Sequence, residues 1–479
     1  MSEPALDFAT TQSALRAAGQ EHVLAWWPEL SERARRRLLR QLALVDLARL
    51  PEMQAAIAAL GQGKPRVLSP APVFELASRE FPYLAADGAR AVAPLGEQAL
   101  RRGQVACLLV AGGQGTRLGF PAPKGCYPLL PLTRRTLFEV FARKLLRVSR
   151  EYGCTPPLYV MVSNQNEAET REFWATHEYF GLPAEQVQFF AQGEMPALDA
   201  AGKLVMEDKD RLFLGPDGHG GVLQALRVKG MLADLRRRGV RVVSYIQVDN
   251  AQIPPADPAF LGLHLAEGAE VSLKVVRKDD PAEKVGIFCL DDGRPGIVEY
   301  TEFSAEQAAL RAQDGGLLYR AGSIAVHAFS VDFLNRLADT GVDLPLHAAH
   351  KKVPYLSPDG IAVEPAGPNA WKFERFVFDA IPLAGKVAAL EVPRDEQFLP
   401  LKNADGPFGP DGFRAAYHAY WGRAVELALG KMPPAIEVDP LVAENARDLM
   451  VIIARSPAAR RWDLNAPLLV TPESLAGLI

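Results

Sequence analysis

Short apolar runs alternate with amphipathic stretches from residue 105 to about residue 385. The apolar runs are rich in β-branched residues, as in buried strands, and the stretches between them repeat apolar positions at helical spacing. The pattern predicts strands at 105–110, 157–162, 187–190, 242–248, 271–276, 285–289, 297–301 and 322–329, and helices at 136–152, 166–177, 219–238 and 330–338. This alternation predicts an α/β fold with a mostly parallel sheet covered on both faces.

The flanking segments have different patterns. Residues 12–60 repeat apolar positions at helical spacing, and residues 61–72 are typical of a linker. After residue 386 the chain has one predicted strand, at 386–392, and a helix at 413–429. We therefore expect three regions: a helical N-terminal region at 1–100, an α/β domain at 101–385 and a small C-terminal α+β domain at 386–479.

Composition narrows the function classes. Of 479 residues 48% are hydrophobic and 23% charged, and the formal net charge is −4, so bulk electrostatics gives no reason to expect nucleic-acid or membrane binding. No apolar run approaches the roughly 20 residues that span a bilayer, and no secretory signal is evident. Four scattered cysteines without a CxxC pair fit a reducing, cytoplasmic compartment. The sequence leaves the oligomeric state open.

A glycine-rich loop follows the first predicted strand, in VACLLVAGGQGTRLGFPAPKG at residues 105–125. Glycines let backbone N–H groups approach an anion closely, and the two cations in the loop, Arg117 and Lys124, suit a polyphosphate. The loop is not a P-loop, because Lys124 follows Pro123 and precedes Gly125. It is not a dinucleotide fingerprint either, because the spacing from Gly113 is G-x-G-x-x-x-G.

Polar residues follow several other predicted strands. Ser163-Asn164, Gln192-Gly193 and Asp249-Asn250 each come after one. Because ligands of parallel sheets bind beyond the carboxyl ends of the strands, we expect these residues at one edge of the sheet. Asp249 suits either a turn cap or a magnesium ligand, and Gln192 either a strand cap or a reader of a base edge. No Ser/His/Asp or Cys/His set stands out.

Several motifs resemble, in order, the type 1 UDP-sugar pyrophosphorylases, the eukaryotic-type UTP:sugar-1-phosphate uridylyltransferases. They are LLVAGGQGTRLGFPAPKG, EYFGLPAEQVQFFAQGEMPAL, PDGHGGVLQAL, VDN, VEYTE, AGSIAVHAF, HKKVPY, KFERFVFD and PLKNADG, across roughly residues 100–406. The branch acting on N-acetylglucosamine 1-phosphate is the most similar. The resemblance implies a Rossmann-like (GT-A-like) nucleotidyltransferase domain, the substrates UTP and a sugar 1-phosphate, and Mg²⁺ as cofactor.

The resemblance also implies residue roles. Arg117, Lys124 and Lys402 would be catalytic, binding the phosphates, and Asp249 would hold the metal. Other nucleotide contacts would come from Ala111, Gly112, Gly113, Gln192, Gly218 and Lys372, with Gln192 and Gly218 at the uracil. Sugar contacts would come from His219, Glu299, Tyr300 and Ser323. No general base is required, because the attacking phosphate monoester has a second pKa of about 6 and is mostly ionised at neutral pH.

Two positions depart from the N-acetylglucosamine branch. His219 and Ser323 each stand where that branch usually has Asn, and Gly-His-Gly is more similar to the UDP-glucose enzymes. The sugar therefore stays open among N-acetylglucosamine, glucose and galactose 1-phosphates. Two alternatives are a UDP-sugar sensor without turnover and a glycosyltransferase. The four charges at 117, 124, 249 and 402 disfavour the sensor, and the absence of an Asp-x-Asp motif at Val248-Asp249-Asn250 disfavours the glycosyltransferase.

Overall fold

The structure is a computed structural model that describes residues 7–60, 66–74 and 87–475. The predicted linker at 61–72 lies partly outside these residues, at 61–65. Its remainder is not simply a linker, because Leu68–Pro70 forms an edge strand that pairs with Cys289–Asp291. No helix in the described ranges combines the length and the apolarity that crossing a membrane would require.

The helices include those predicted at 136–152, 166–177, 330–338 and 413–429, each within three residues of the predicted bounds, and others, such as Pro258–Glu267 and Ala446–Arg455, that the pattern did not predict. In chain order they are α1 (Phe8–Ala17), α2 (Glu32–Leu44), α3 (Leu50–Ala58), α4 (Asp87–Arg101), α5 (Leu137–Tyr152), α6 (Glu167–Thr176), α7 (Val222–Val228), α8 (Met231–Arg237), α9 (Pro258–Glu267), α10 (Ala305–Ala309), α11 (Val331–Thr340), α12 (Arg394–Gln397), α13 (Pro410–Leu429) and α14 (Ala446–Arg455). The helix predicted at 219–238 is broken into α7 and α8, because Gly230 adopts a positive φ of 77° between them.

In the described residues the strands are more numerous than the α-helices, and most of them are shorter. They are β1 (Leu68–Pro70), β2 (Val105–Val110), β3 (Leu158–Val162), β4 (Val187–Ala191), β5 (Glu194–Pro196), β6 (Leu198–Asp199), β7 (Met206–Asp208), β8 (Arg211–Leu212), β9 (Leu214–Pro216), β10 (Val242–Gln247), β11 (Val271–Arg277), β12 (Ile287–Asp291), β13 (Arg294–Val298), β14 (Ala321–Ser330), β15 (His347–Lys351), β16 (Tyr355–Leu356), β17 (Ala362–Val363), β18 (Ala370–Glu374), β19 (Val387–Glu391), β20 (Ile436–Val438) and β21 (Leu468–Val470).

A central mixed sheet confirms the predicted α/β fold class. Its main order is β1-β12-β14-β10-β2-β3-β4, with β11 beside β14 and β19, and β13 beside β12. Strands β10, β2, β3 and β4 pair in parallel, as predicted. The pairings of β14 with β10, β11 and β12 are antiparallel, so parallel pairing predominates only on the side of the sheet that carries β2.

The hairpin predicted at Asp291-Asp292-Gly293 is confirmed. Asp291 pairs with Arg294, and the two turn residues have φ values of 49° and 78°. Positive φ at both central positions is the geometry that joins two antiparallel strands without splaying them. The turn therefore sets β12 and β13 antiparallel.

Helix α5, which follows the glycine-rich loop, has clear start and stop signals. Thr136 caps its N-terminus by accepting the Glu139 N–H at 3.2 Å, and Gly153 ends it with a φ of 69°. Phe138 and Phe141 on its inner face are fully buried. Burial of each such side chain contributes about 1.5–3 kcal/mol, so the helix is anchored firmly beneath the loop.

The chain separates into two compact units. Unit 1 comprises Met1–Pro65, Gln192–Gln224 and Asp343–Asp379, and unit 2 comprises Arg66–Ala191, Ala225–Val342 and Ala380–Ile479. In unit 1 the apolar faces of α1, α2 and α3 pack with Leu198, Leu212 and Phe373. Unit 2 contains the central sheet and the core beneath it.

These units are not the three consecutive domains predicted from the sequence. The strand predicted at 386–392 is β19, which pairs in parallel with β11 inside the central sheet and not in a separate C-terminal sheet. The division at residues 100 and 385 stays a prediction about which segments could fold independently.

Candidate active site

The glycine-rich loop leaves the central sheet at the end of β2 and folds back on itself. Gly115 N–H donates to Ala122 O at 2.9 Å, and Lys124 N–H donates to Gly113 O at 3.1 Å. These bonds close the loop and bring Lys124 next to the first glycines after β2. The sequence therefore predicted correctly that a strand feeds this loop.

The glycines of the loop serve different purposes. A Cβ on Gly125 would lie 2.1 Å from the Phe138 ring, so packing requires glycine there. A Cβ on Gly113 would meet no protein atom within 4 Å, and Gly113 is exposed. Packing within the protein therefore does not explain Gly113, whereas close approach of a ligand to its backbone would.

Asn166 holds the start of the loop, and sequence reasoning missed it. Its side chain is fully buried and accepts the Ser163 N–H at 2.8 Å. Its amide donates to Ala111 O at 3.1 Å and Gly113 O at 3.4 Å. An asparagine a few residues after a parallel strand is a signal that could have found it, because such side chains often bond nearby backbone.

Lys124 and Asp249 face each other at the carboxyl ends of β2 and β10. Lys124 Nζ lies 3.8 Å from Asp249 Oδ2, and the two side chains are 16% and 14% exposed. Burial lowers the pKa of Lys124; Asp249 acts in the opposite direction, and the charges of Lys402 and Arg117 lower it further. Three cations and one carboxylate predicted from the sequence thus lie near one another in unit 2.

The segment that carries Lys402 is bonded to the two residues Asp249 and Asn250, which lie just after β10. Leu401 N–H donates to Asp249 O at 2.8 Å. Asn250, which is buried, donates from Nδ2 to Gln397 O at 2.8 Å and accepts the Leu399 N–H at 3.1 Å. Residues about 150 positions apart in sequence are therefore joined here by main-chain and carboxamide bonds.

A buried lysine, Lys144, holds the segment that follows Asn250. Lys144 of α5 is 5% exposed, and its Nζ donates to the carbonyls of residues 251, 252 and 253 at 2.6, 2.9 and 3.0 Å. Burial lowers its pKa to about 7. The three carbonyls belong to the segment directly after Asn250, so Lys144 fixes the path of the chain that leaves the site.

Glu299 and Ser323 both lie close to Gly286. Ser323 N–H donates to Gly286 O at 2.8 Å, and a Cβ on Gly286 would lie 3.3 Å from Glu299 Oε1. The prediction that Glu299 and Tyr300 lie on a strand was wrong, because β13 ends at Val298 and Glu299 caps a short 3₁₀ turn with Glu302. Tyr300 is exposed.

Unit 1 holds the remaining predicted residues, and its own geometry brings two of them, Gln192 and Gly218, together. Gln192 is 7% exposed, and the next residue, Gly193, accepts the Asp217 N–H at 3.1 Å. Gly218 follows directly with a φ of 84°, and a Cβ there would lie 2.5 Å from Arg375 O. Only glycine fits this close crossing of two backbone segments.

The imidazole of His219 is held by the segment after β18. Its Nδ1 accepts the Val377 N–H at 3.2 Å, and the ring stacks on Phe376 with centroids 5.3 Å apart. The backbone hydrogen bond and the stacked Phe376 ring therefore fix the orientation of the imidazole.

Lys372 lies on β18, and its Nζ stands 4.6 Å from the centroid of the Phe213 ring. The pKa of Lys372 lies below its usual value, chiefly because the side chain is buried. The charge of Lys351 lowers the pKa further, and the charge of Glu374 acts in the opposite direction. In unit 1 this cation is thus held over an aromatic face, a geometry that restricts its side chain.

A metal would find one carboxylate here. Among the residues that the structure describes, no three His, Cys, Asp or Glu side chains group as a metal site. Mg²⁺ commonly takes only one or two carboxylates and completes its shell with substrate phosphates and water. Asp249, next to Lys124 at the sheet edge, matches that donor set.

Comparison with known proteins identifies the family. The profile described as "UTP--glucose-1-phosphate uridylyltransferase" matches residues 90–409. The chain belongs to this family. It is therefore a uridylyltransferase of the UDP-sugar pyrophosphorylase type, which confirms the family resemblance and the predicted enzyme class. The nucleotidyltransferases of this family generally use a divalent metal.

Relatives of this uridylyltransferase match most of its length. It is 39% identical to human "UDP-N-acetylhexosamine pyrophosphorylase-like protein 1", covering 92% of this chain and 93% of the relative. It is 41% identical to the Saccharomyces cerevisiae "UDP-N-acetylglucosamine pyrophosphorylase", covering 67% and 70%. The Trypanosoma brucei "uridine diphosphate N-acetylglucosamine pyrophosphorylase" structure is 27% identical, with a TM-score of 0.81 over 97% and 98% of the chains.

Proposed function

We propose that this uridylyltransferase uses UTP, Mg²⁺ and N-acetylglucosamine 1-phosphate to make UDP-N-acetylglucosamine and pyrophosphate. The observation that carries the phosphate chemistry is the approach of Lys124 to Asp249, with Arg117 and Lys402 close enough to perturb the pKa of Lys124. The names and 36–41% identities of several curated relatives support N-acetylglucosamine 1-phosphate as the sugar substrate.

The reaction needs positioning and positive charge. An oxygen of the sugar phosphate attacks the α-phosphorus of UTP in line, and the bond from that phosphorus to the pyrophosphate breaks. We assign Arg117, Lys124 and Lys402 to stabilising the negative charge that develops on the phosphate oxygens. A metal held by Asp249 would supply further positive charge and orient the phosphates.

The remaining residues are assigned to recognition. Backbone groups of Ala111, Gly112 and Gly113 would approach the nucleotide, with Gln192 and Gly218 at the uracil. Lys372 would contact the phosphates. His219, Glu299, Tyr300 and Ser323 would contact the sugar. Within unit 1 the adjacency of Gln192, Gly193 and Gly218 supports the uracil assignment. Within unit 2 the closeness of both Glu299 and Ser323 to Gly286 supports the sugar assignment.

Glucose 1-phosphate is the second candidate substrate. It is favoured by His219 and Ser323, which replace the asparagines usual in the N-acetylglucosamine branch. A pocket that bonds an acetamide should reject a sugar lacking it strongly, because its polar groups would be left unpaired. The ratio of kcat/KM values for the two sugar phosphates therefore distinguishes the two candidates.

The test is an assay of the purified full chain. The protein is incubated with UTP, MgCl₂ and each of N-acetylglucosamine, N-acetylgalactosamine, glucose and galactose 1-phosphate, and pyrophosphate release is followed. We expect the highest kcat/KM with N-acetylglucosamine 1-phosphate and loss of turnover when EDTA replaces the metal. A higher kcat/KM with glucose 1-phosphate would replace the proposed sugar, and turnover undiminished in EDTA would reject the metal.

A further inference from the structure

A fully buried ammonium lies behind the proposed site. Lys274 of β11 is 0% exposed, and its Nζ lies 2.6 Å from Asp257 Oδ2 and 2.6 Å from Gln397 Oε1. A buried charge is stable only when it is paired and hydrogen-bonded, so both contacts matter to the folded protein. Lys274 is too deep to touch a substrate, and the proposed mechanism does not use it.

The ion pair is anchored in regular structure on both sides. Asp257 caps helix α9 by accepting the Ala259 N–H at 2.9 Å, and Lys274 lies within a strand of the central sheet. Burial raises the pKa of Asp257, but the charge and hydrogen bond of Lys274, together with two backbone N–H groups of α9, outweigh burial, and the net shift is downward. The carboxylate of Asp257 therefore holds Lys274 in place, and Lys274 Nζ donates to Gln397.

From Gln397 the contacts lead to the proposed catalytic groups. The carbonyl of Gln397 accepts the Asn250 amide at 2.8 Å, and Asn250 follows Asp249 directly. Leu401 N–H then bonds Asp249 O at 2.8 Å, and Lys402 is the next residue. The segment 397–402 is thus held at Gln397 by the Lys274 side chain. It is also held at Gln397, Leu399 and Leu401 by Asp249 and Asn250, which lie just after β10.

We propose that Gln397, fixed through its side chain by Lys274, is a positioning residue that places Lys402 near Asp249 and Lys124. This inference rests on the proposed role of Lys402. A long cation stabilises a developing charge well only if its backbone is held within about 0.5 Å of the productive position. Misplacement by about 1 Å can cost roughly 10²-fold in rate.

The decisive variant is Gln397→Met. It keeps the length of the side chain and the backbone bond to Asn250 but removes the acceptor for Lys274. We expect kcat to fall about tenfold while KM for the sugar phosphate changes less than threefold. In a Lys402→Ala background the same substitution should change kcat less than twofold, because the cation that it positions is absent.

Two further variants separate positioning from general destabilisation. Gln397→Glu keeps an acceptor oxygen for Lys274 and should retain kcat within about threefold of the unmodified protein. Ser272→Ala is the matched control: Ser272 is buried two residues earlier on β11 and bonds His264 of α9 at 2.8 Å, without contacting Gln397. It should leave kcat within twofold, whatever its effect on the thermal unfolding midpoint.

The outcomes are distinguishable. If Gln397→Met lowers kcat by the same factor in the unmodified protein and in the Lys402→Ala background, the inference is overturned. A Gln397→Glu protein that is fully folded but has a strongly reduced kcat would also overturn it. If Gln397→Met does not fold, the same cycle with Lys274→Met in place of Gln397→Met decides it, because that variant removes the donor to Gln397. An unmodified protein without pyrophosphate release, or a fully active Lys402→Ala variant, would instead overturn the proposed function on which the inference rests.

Discussion

At the scale of single residues, environment decides what each cation can do. Lys124 faces a carboxylate at the sheet edge, whereas the ammonium of Lys144 donates hydrogen bonds to three backbone carbonyls. Burial lowers the pKa of both. Of these two lysines, only Lys124 therefore has its charge where a phosphate could approach.

We predict that Lys124→Ala lowers kcat by about 10²–10³-fold, because one preorganised charge near the transferring phosphate is lost. The free energy of unfolding should change by only about 1 kcal/mol, since the two charges are 3.8 Å apart and burial of the ammonium offsets part of their attraction. Pyrophosphate release and thermal unfolding measure the two quantities. Lys229→Ala, an exposed lysine, is the control, and equal rates in both variants would contradict the assignment.

We also predict that His219→Asn and Ser323→Asn, tested separately, each shift selectivity toward N-acetylglucosamine 1-phosphate over glucose 1-phosphate. A carboxamide both donates and accepts, as an acetamide does, so the ratio of kcat/KM values should change about tenfold. The measurement is competition between the two sugar phosphates at fixed UTP. A ratio unchanged in both variants would remove these positions from the sugar pocket.

At the scale of elements, the loop after β2 is the part whose function is most closely tied to local geometry. Its glycines divide into those required by packing and those open to solvent: Gly125 lies against Phe138, and Gly113 has free space at its Cβ position. A sequence cannot separate the two kinds, because both are glycines of the same loop and the ring that Gly125 packs against, Phe138, lies outside that loop.

Gly113→Ala should therefore impair substrate binding, whereas Gly125→Ala should impair stability. Gly113→Ala should leave the unfolding midpoint nearly unchanged but raise KM for UTP about tenfold, because its methyl group would occupy space proposed for the nucleotide. Gly125→Ala should destabilise the protein by about 1–3 kcal/mol through overpacking against Phe138. Calorimetry and steady-state kinetics on both variants test this contrast, and a Gly113→Ala protein with unchanged KM would show that the ligand lies elsewhere.

At the scale of the whole molecule, distant segments of the sequence assemble into each unit. The N-terminal helices pack with residues near 198, 212 and 373 in unit 1, while β19 and the C-terminal helices belong to unit 2. Several carboxylates are buried in the process, so global stability should depend on pH well above the usual range for carboxyl groups.

Asp448 of α14 offers a clean test of that dependence. Burial, reinforced by Glu444, raises its pKa from 3.8 to about 6, with Arg147 acting the other way. Because the folded pKa lies above the unfolded one, its favourable contribution is present below about pH 4 and is lost as pH rises through about 6. Asp448→Asn should gain about 1–2 kcal/mol relative to the unmodified protein between pH 4 and pH 8. Chemical unfolding at both pH values measures this, and a constant difference would contradict it.

The sequence by itself determined the strand–helix alternation, the glycine loop, the hairpin at Asp292-Gly293 and the charged residues at the strand ends. Those features depend on local periodicity, on glycine conformations and on the rule that parallel strands end at one edge. The family motifs extended this to named roles at residues far apart in the chain.

Tertiary structure decided the rest. The antiparallel pairings of β14, the insertion of β19 into the central sheet and the mixing of N-terminal helices with middle segments all join residues that have no local relation. Asn166, Lys144 and Lys274 have the appearance of ordinary polar surface residues in the sequence. Their importance follows from burial, because a polar group out of water must find partners, and only the folded chain brings those partners to it.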